Sequence, residues 1–223
     1  MSTASGYRIV AAIAVILALA ACDISVDGEG SSKVNGSVHV LAGKAAEDAR
    51  TVNGSIHVDD NAAVTSASTV NGSVHLGAHA TATSAKTVNG AISLGDGAHV
   101  SGGAGSVNGD LTLNDGAEVS GALTNVNGKI SLTAAHVGGG IKTVSGNISV
   151  MGASHVEGGI LVQKPGSIMF SGDDPVIVIG PGAVVQGELT FERKVKLYVS
   201  DKATIGTVTG ATSIPFSGDN PPN

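Results

Sequence analysis

The sequence predicts an all-β protein, a single-stranded parallel β-helix (β-solenoid) with about 18 residues in each three-sided turn. The first observation is a unit of an apolar residue, Asn or once Ser, and Gly, which recurs along the chain at this nearly constant interval. The second is a six-residue spacing of apolar residues within that unit. A fixed period of this length is typical of stacked solenoids, in which each turn packs only on its neighbours.

The unit recurs seven times, and each copy precedes a short β-type stretch. The copies begin at Val34, Val52, Val70, Val88, Val107, Val126 and Val144. Asn and Gly both accept positive φ at low steric cost. The pair therefore predicts a sharp corner in every turn.

Apolar residues at every sixth position predict the side chains that point inward. They are Val34, Val40, Ala46, Val52, Val58, Val64, Val70, Leu76, Ala82, Val88, Leu94 and Val100. A second small or apolar residue follows most of them four positions later, so each of three hexads per turn would supply two inward side chains. Lys44, Arg50 and Lys86 occupy this second slot as exceptions. After Val100, single-residue insertions lengthen the repeat twice, and a corner bulge tolerates such insertions.

The core of this solenoid is predicted to be thin. Aromatic residues make up 2% of the chain, and none occurs between Tyr7 and Phe170, whereas a thick globular core normally uses them. A meander of hairpins is disfavoured because two-stranded hairpins would give a shorter, paired alternation. Parallel crossover connections are usually right-handed, which favours a right-handed coil; a left-handed coil, which a six-residue register also suits, is the alternative.

Residues 1–21 read as a secretion signal. Arg8 ends a short polar region, residues 9–19 are wholly apolar, and small residues follow, a stretch too short to be a spanning helix. Leu19-Ala20-Ala21-Cys22 resembles the lipobox of bacterial lipoproteins. The resemblance implies that Cys22, the only cysteine, is acylated and anchors the protein to the inner or outer membrane of a bacterial cell envelope.

The composition divides the remaining chain into four parts. Residues 22–33 are the acylated cysteine and a polar, Gly/Ser-rich flexible tether. Residues 34–164 form the Asn-Gly solenoid, and residues 165–214 form atypical C-terminal turns that act as a cap. Phe170, Phe191 and Tyr198 are expected to widen or close the coil there. Residues 215–223 are expected to be a disordered tail.

Charge and cysteine usage exclude several classes of function. Without residues 1–21 the chain keeps 11 basic and 18 acidic residues, a net charge of −7. Such a surface disfavours nucleic-acid binding. One cysteine allows neither an internal disulfide nor a cysteine-based metal cluster. We therefore expect no nucleic-acid partner and no cofactor.

The C-terminal turns carry a family resemblance. Residues 179–189 (Ile-Gly-Pro-Gly-Ala-Val-Val-Gln-Gly-Glu-Leu) and 203–206 (Ala-Thr-Ile-Gly) are similar to hexapeptide-repeat β-helices and to bactofilins. The Thr-Val-Asn-Gly repeat is similar to adhesin-like envelope repeats. The bactofilin resemblance implies a polymer that scaffolds envelope machinery. Enzymes of the hexapeptide family use a catalytic His that has no recognisable counterpart here, so no catalytic residue is predicted.

Three columns of identical residues are candidate ladders. The first is a structural ladder of stacked amides, formed by Asn35, Asn53, Asn71, Asn89, Asn108 and Asn127. The second is His39, His57 and His75, expected to point outward as solvated histidines, with a transition-metal site or a pH sensor as the less favoured alternatives. The third is Thr51, Thr69 and Thr87, for which β-propensity and corner hydrogen bonding are favoured over a flat ice-binding array.

These observations predict a non-enzymatic, lipid-anchored envelope protein with a structural or scaffolding role. Its expected partners are the membrane, through Cys22, and further copies of itself. The alternative is an adhesin-like module that binds a glycan, peptidoglycan or a protein partner. An acyltransferase or polysaccharide lyase is the third hypothesis, disfavoured because no catalytic constellation emerges.

Overall fold

A computed structural model describes residues 24–26, 31–166 and 173–222 of the 223-residue chain. Within these residues every strand pair is parallel and the strands stack as a β-solenoid, which confirms the predicted fold class. The described part contains no helix long and apolar enough to cross a membrane.

Twenty-seven short strands make up the described chain. In chain order they are β1 (Ile24–Val26), β2 (Ser31–Asn35), β3 (Val38–Val40), β4 (Ala45–Asn53), β5 (Ile56–Val58), β6 (Ala63–Ser68), β7 (Val74–Leu76), β8 (Thr81–Lys86), β9 (Ile92–Leu94), β10 (His99–Val100), β11 (Ala104–Gly105), β12 (Leu111–Leu113), β13 (Glu118–Val119), β14 (Leu123–Thr124), β15 (Ile130–Thr133), β16 (His136–Val137), β17 (Ile141–Thr143), β18 (Ile148–Met151), β19 (His155–Val156), β20 (Ile160–Val162), β21 (Val176–Ile179), β22 (Val184–Val185), β23 (Leu189–Phe191), β24 (Lys196–Ser200), β25 (Thr204–Ile205), β26 (Val208–Thr209) and β27 (Ser213–Phe216).

The strands form three faces. The first face is an 11-stranded sheet that begins with β1 and ends with β27. The second and third faces belong to one 16-stranded sheet, because β4, β6 and β8 continue around the corner between them. From β10 onward each turn has separate strands there: β8 pairs with β10 on the second face and with β11 on the third.

A typical turn buries two side chains from each face. In one turn these are Ile56 and Val58, then Ala62 and Val64, then Ala67 and Thr69. Only two residues, Thr65 and Ser66, separate the inward positions at the corner between the second and third faces, whereas three separate them at the preceding corner. This shorter corner shifts the two-residue alternation of the third face by one position.

The predicted six-residue register is therefore wrong on the third face. The four valines Val52, Val70, Val88 and Val107 are each 39% exposed, and Val34 is 65% exposed, while the threonine before Val52, Val70 and Val88 is buried. Arg50 and Lys86 point outward instead of filling an inward slot, and Lys44 is exposed.

Alanines keep the early turns thin, and larger residues fill the later ones. The third face supplies Ala49, Ala67 and Ala85 to the early core, then Leu123, Ile141, Ile160 and Leu189 farther along. Phe191 is 5% exposed and lies in the core of the C-terminal turns. Tyr198 does not fill the core, because it lies in register with the outward residues Val178 and Ile214.

The Asn-Gly corners are built only partly as predicted. No asparagine of the pair has positive φ, whereas its glycines Gly36, Gly109 and Gly128 do, and a larger set of positive-φ residues lies at the corner between the first and second faces. They are Gly43, Asn61, His79, Gly97, Gly116, Ala134, Gly152 and Gly182. The glycine of the pair is required by close stacking, since a Cβ on Gly72 would overlap the carbonyl group of Gly54.

The ends of the solenoid differ from the prediction, whereas the inserted residue falls at a corner. β1 pairs with β3 and lies inside the expected tether, and Phe216, inside the expected tail, is 6% exposed.

The extra residue after Val100 falls at the corner before the third face, where the three residues Ser101–Gly103 stand in place of the two residues found at this corner in earlier turns. A longer excursion precedes β21, since Ile177 is in register with Ile148 although much more than one repeat of chain separates them. The signal peptide, Cys22 and Phe170 lie outside the described residues.

Candidate functional site

The asparagine column forms a continuous ladder of side-chain hydrogen bonds. Each carboxamide nitrogen donates to the carboxamide oxygen one turn earlier, from Asn53 on Asn35 through to Asn127 on Asn108, at 2.9–3.0 Å. The backbones of the same residues are joined by parallel bridges. The amides therefore satisfy one another along the edge of the third face, which is a structural task rather than ligand recognition.

The threonine column lies inside the coil. Thr51, Thr69 and Thr87 are 3–5% exposed, and their hydroxyls donate to the carbonyls of the corner glycines Gly36, Gly54 and Gly72 at 2.8–2.9 Å. Ser106 and Asn125 make the corresponding bond in the next two turns. Burial removes these threonines from any external ligand, and corner hydrogen bonding accounts for them.

The first histidine column consists of His39, His57 and His75. The three residues are in register on the first face, and successive ring centroids lie 6.0 and 6.2 Å apart. His39 Nε2 lies 2.6 Å from Asp59 Oδ1, and His57 and His75 are exposed. The rings thus stack along the rod and do not converge on one point.

No group of three or more His, Cys, Asp or Glu side chains among the described residues is arranged to hold a metal ion. The three histidines share a face and a spacing, and the carboxylate of Asp59 contacts His39. A metal site needs ligands that surround one ion and a second shell that orients them. The described geometry supplies neither at this column.

A second histidine column was missed by sequence reasoning. His99, Glu118, His136 and His155 occupy one outward register position on the second face. Two of the three intervals between these residues contain an inserted residue. A strict 18-residue period in the sequence therefore does not align them. Counting from the inward Val that follows each histidine, at Val100, Val137 and Val156, would have found three of the four members.

Glu118 lies between two imidazoles of the second histidine column. Its carboxylate oxygens are 3.3 Å from His99 Nδ1 and 3.7 Å from His136 Nδ1. His136 Nε2 is 3.1 Å from Glu157 Oε1, and the rings of His136 and His155 are 5.7 Å apart at 86°. His155 Nε2 is buried with no hydrogen-bond partner within the described chain. These half-exposed ion pairs join successive turns.

The third face carries two adjacent outward columns of different character. The valine column comprises Val34, Val52, Val70, Val88, Val107, Val126 and Val144. The neighbouring column, here called the cation column, contains Arg50, Lys86 and Lys142, interspersed with Ser68, Gly105 and Thr124. Sequence reasoning placed these valines in the core and so missed this surface.

The aspartates Asp60 and Asp174, each next to a second aspartate in the sequence, have structural partners in a neighbouring turn. Asp60 Oδ1 accepts the backbone N–H of Ala78 at 2.7 Å, and Asp174 lies 3.1 Å from Lys194 Nζ. Asp115 lies at the corner between the first and second faces, and Glu118 belongs to the second histidine column. These contacts hold turns together.

No protein-family model matches the chain, and neither a curated protein nor a solved structure is significantly similar to it.

Proposed function

We propose that the chain is a non-enzymatic, lipid-anchored cell-envelope protein in which the solenoid rod has a structural, scaffolding role. The observation that carries the proposal is the open C-terminal end of the rod. There β25 and β26 each pair on one side only, with β22 and β23. An unpaired parallel edge is a template for another chain.

The core side chains of this last turn are incompletely covered. Ala203, Ile205, Val208 and Ala211 pack against the core but stay partly exposed. A terminal repeat that serves only as a cap normally has a polar outer surface. Apolar side chains beside unpaired strand edges favour association with a second copy.

The anchor would stand at the opposite end of the rod. Cys22 closely precedes β1, the first strand of the first face. Acylation with two or three chains would give stable attachment, since each buried CH₂ contributes about 0.8 kcal/mol. The N-terminal turn would then lie near the membrane and leave the C-terminal edge free.

Anchoring is tested by processing and fractionation. In the source bacterium, globomycin should cause the precursor to accumulate, and Cys22→Ala should abolish the lipid-modified mature form. Unchanged precursor size with globomycin, or a membrane-bound mature Cys22→Ala protein, would refute the anchor.

Self-association is tested at the C-terminal edge with the detergent-solubilised protein. Light scattering and negative-stain microscopy should show oligomers that Ile205→Lys and Val208→Lys dissociate. Thr204→Lys is the matched control, because Thr204 lies on the same strand as Ile205 but is exposed. Circular dichroism verifies that each variant is folded. A monomer at high concentration, or equal effects of Ile205→Lys and Thr204→Lys, would count against scaffolding.

A second candidate function is glycan or peptidoglycan binding, favoured by a shallow groove on the second face. The groove has a volume of about 270 Å³, and its polar lining includes Thr65, Thr81, Thr83, His99 and Ser101. The hydroxyl groups in this lining can donate hydrogen bonds to, and accept them from, the hydroxyl groups of a saccharide. A glycan array and a peptidoglycan pull-down compare the protein with Thr83→Lys, and the absence of binding would remove this candidate.

A further inference from the structure

The valine column is a continuous apolar row on the outside of the rod. Four of its members are each 39% exposed, and Val34 at the N-terminal end is 65% exposed. Strands in a sheet lie about 4.8 Å apart, so seven valines in consecutive turns extend over roughly 29 Å. Scattered exposed valines need no explanation, whereas a contiguous row of them indicates a contact surface.

The charge beside this row is positive although the protein is acidic. Arg50, Lys86 and Lys142 are exposed in the cation column, and Arg50 shares its charge with Asp48 at 3.2 Å. Leu161 follows Lys142 in the same column. Within the described residues, the first carboxylate in either outward column is Glu192, beyond this patch. The net charge of the whole chain is −6.

The carboxylates of the same turns lie outside the two outward columns. Glu118 is on the second face, Asp60 and Asp96 lie at the corner that precedes it, and Glu47, Asp48 and Glu157 lie at the corner between the second and third faces. The third face is therefore the side of an acidic rod on which an anionic partner meets the least repulsion.

We propose that the third face lies on the surface of a membrane that contains anionic phospholipid. Lys86 and Lys142 would contact lipid phosphates, and the valine column would enter the boundary between headgroups and acyl chains. The asparagine ladder borders the valine column and keeps the backbones of successive turns in line. The inference goes beyond the scaffolding role and requires neither acylation of Cys22 nor self-association.

Charge and polarity together select this partner. A second copy packed face to face would bring cations against cations, which disfavours it. An anionic polysaccharide or nucleic acid would use the cations but leave the valine column in water. An anionic lipid surface offers phosphates to the cation column and an apolar environment to the valine column.

Site-specific fluorescence tests the proposal with the full chain. Cys22 is the only native cysteine, so Cys22→Ala combined with Val88→Cys or Thr81→Cys carries one label on the third or the second face. Each labelled protein is reconstituted into vesicles of phosphatidylcholine, with or without phosphatidylglycerol, that contain a spin-labelled quencher lipid. Because the apolar N-terminal segment tethers both proteins equally, the comparison reports which face meets lipid.

We expect strong quenching at position 88, weak quenching at position 81, and a difference that requires phosphatidylglycerol and fades at high salt. Lys86→Glu with Lys142→Glu should reduce quenching at position 88 by roughly tenfold. Lys196→Glu with Lys202→Glu is the control, since it changes the net charge equally but lies off this face. Thermal unfolding verifies that both variants are folded.

Equal quenching at positions 88 and 81, or quenching independent of phosphatidylglycerol, would overturn the proposal. A label at position 88 that is already shielded without vesicles would identify a second copy as the occupant and would overturn it as well. Failure of scaffolding gives a different result, namely a monomer that still shows face-specific quenching.

Discussion

The hydroxyl of Thr69 donates a 2.9 Å hydrogen bond to the carbonyl of Gly54, which belongs to the corner of the previous turn. Thr69 is 3% exposed, so neither group has ready access to water. The bond ties the third face of one turn to the corner of the turn before it.

Thr69→Val should therefore destabilise the rod. The substitution keeps the side-chain shape but leaves the carbonyl of Gly54 without its hydroxyl partner, at a cost of about 1–3 kcal/mol. Urea unfolding measures the loss. The control is Thr65→Val, because Thr65 is exposed in the adjoining strand; an equal effect at both positions would contradict the assigned role.

Gly72→Ala should be more damaging than a change at an unconstrained glycine. A Cβ at Gly72 would overlap the backbone of Gly54, whereas a Cβ at Gly166 would meet nothing within 4 Å. Relief requires the two turns to separate, and we expect a loss of about 3 kcal/mol or more. Hydrogen exchange at the Gly72 amide, bonded to Asn89, should accelerate. Gly166→Ala should be neutral, and similar exchange in both variants would refute the stacking argument.

Asn71→Ala should cost about twice as much as Asn127→Ala. The carboxamide of Asn71 donates to Asn53 and accepts from Asn89, whereas that of Asn127 only donates, to Asn108. Each bond contributes about 0.5–1.5 kcal/mol. Denaturation midpoints of the two variants provide the comparison, and no difference between them would show that the side-chain ladder adds nothing beyond the backbone bridges.

His155→Val should stabilise the rod by up to about 1 kcal/mol. The buried Nε2 of His155 has no partner in the described chain, and its register neighbour in the next turn is Val184. Removing an unsatisfied polar atom lowers the cost of folding, and valine favours a pleated strand. His136→Val serves as the comparison because His136 contacts Glu118 and Glu157. A lower melting temperature for His155→Val would reject this account.

The repeat predicted the solenoid because apolar residues at a constant period admit few other packings. It did not predict the phase of the third face, because Val70 and Thr69 are both β-formers and only the two-residue corner at Thr65–Ser66 decides which of them turns inward. The first histidine column follows a strictly constant period and was visible. The second was hidden because an extra residue between Val100 and Ala104 displaced Glu118 from that period.

The Asn-Gly pair was recognised as corner chemistry, but its mechanism was not. Sequence preference links glycine with positive φ, whereas Gly72 is required because the neighbouring turn passes too close for a side chain. Close approach between turns is a tertiary property. It follows from the stack, and no local sequence preference encodes it.

The stacked glycines and the asparagine ladder make the rod a molecular ruler. Each turn contacts only its neighbours, and the turns that begin at Val52 and Val70 present matching edges above and below. Duplicating or deleting one such repeat would change the length by about 4.8 Å and leave the cross-section and both ends unaltered. The distance spanned by the protein is thus set by the number of copies in its gene.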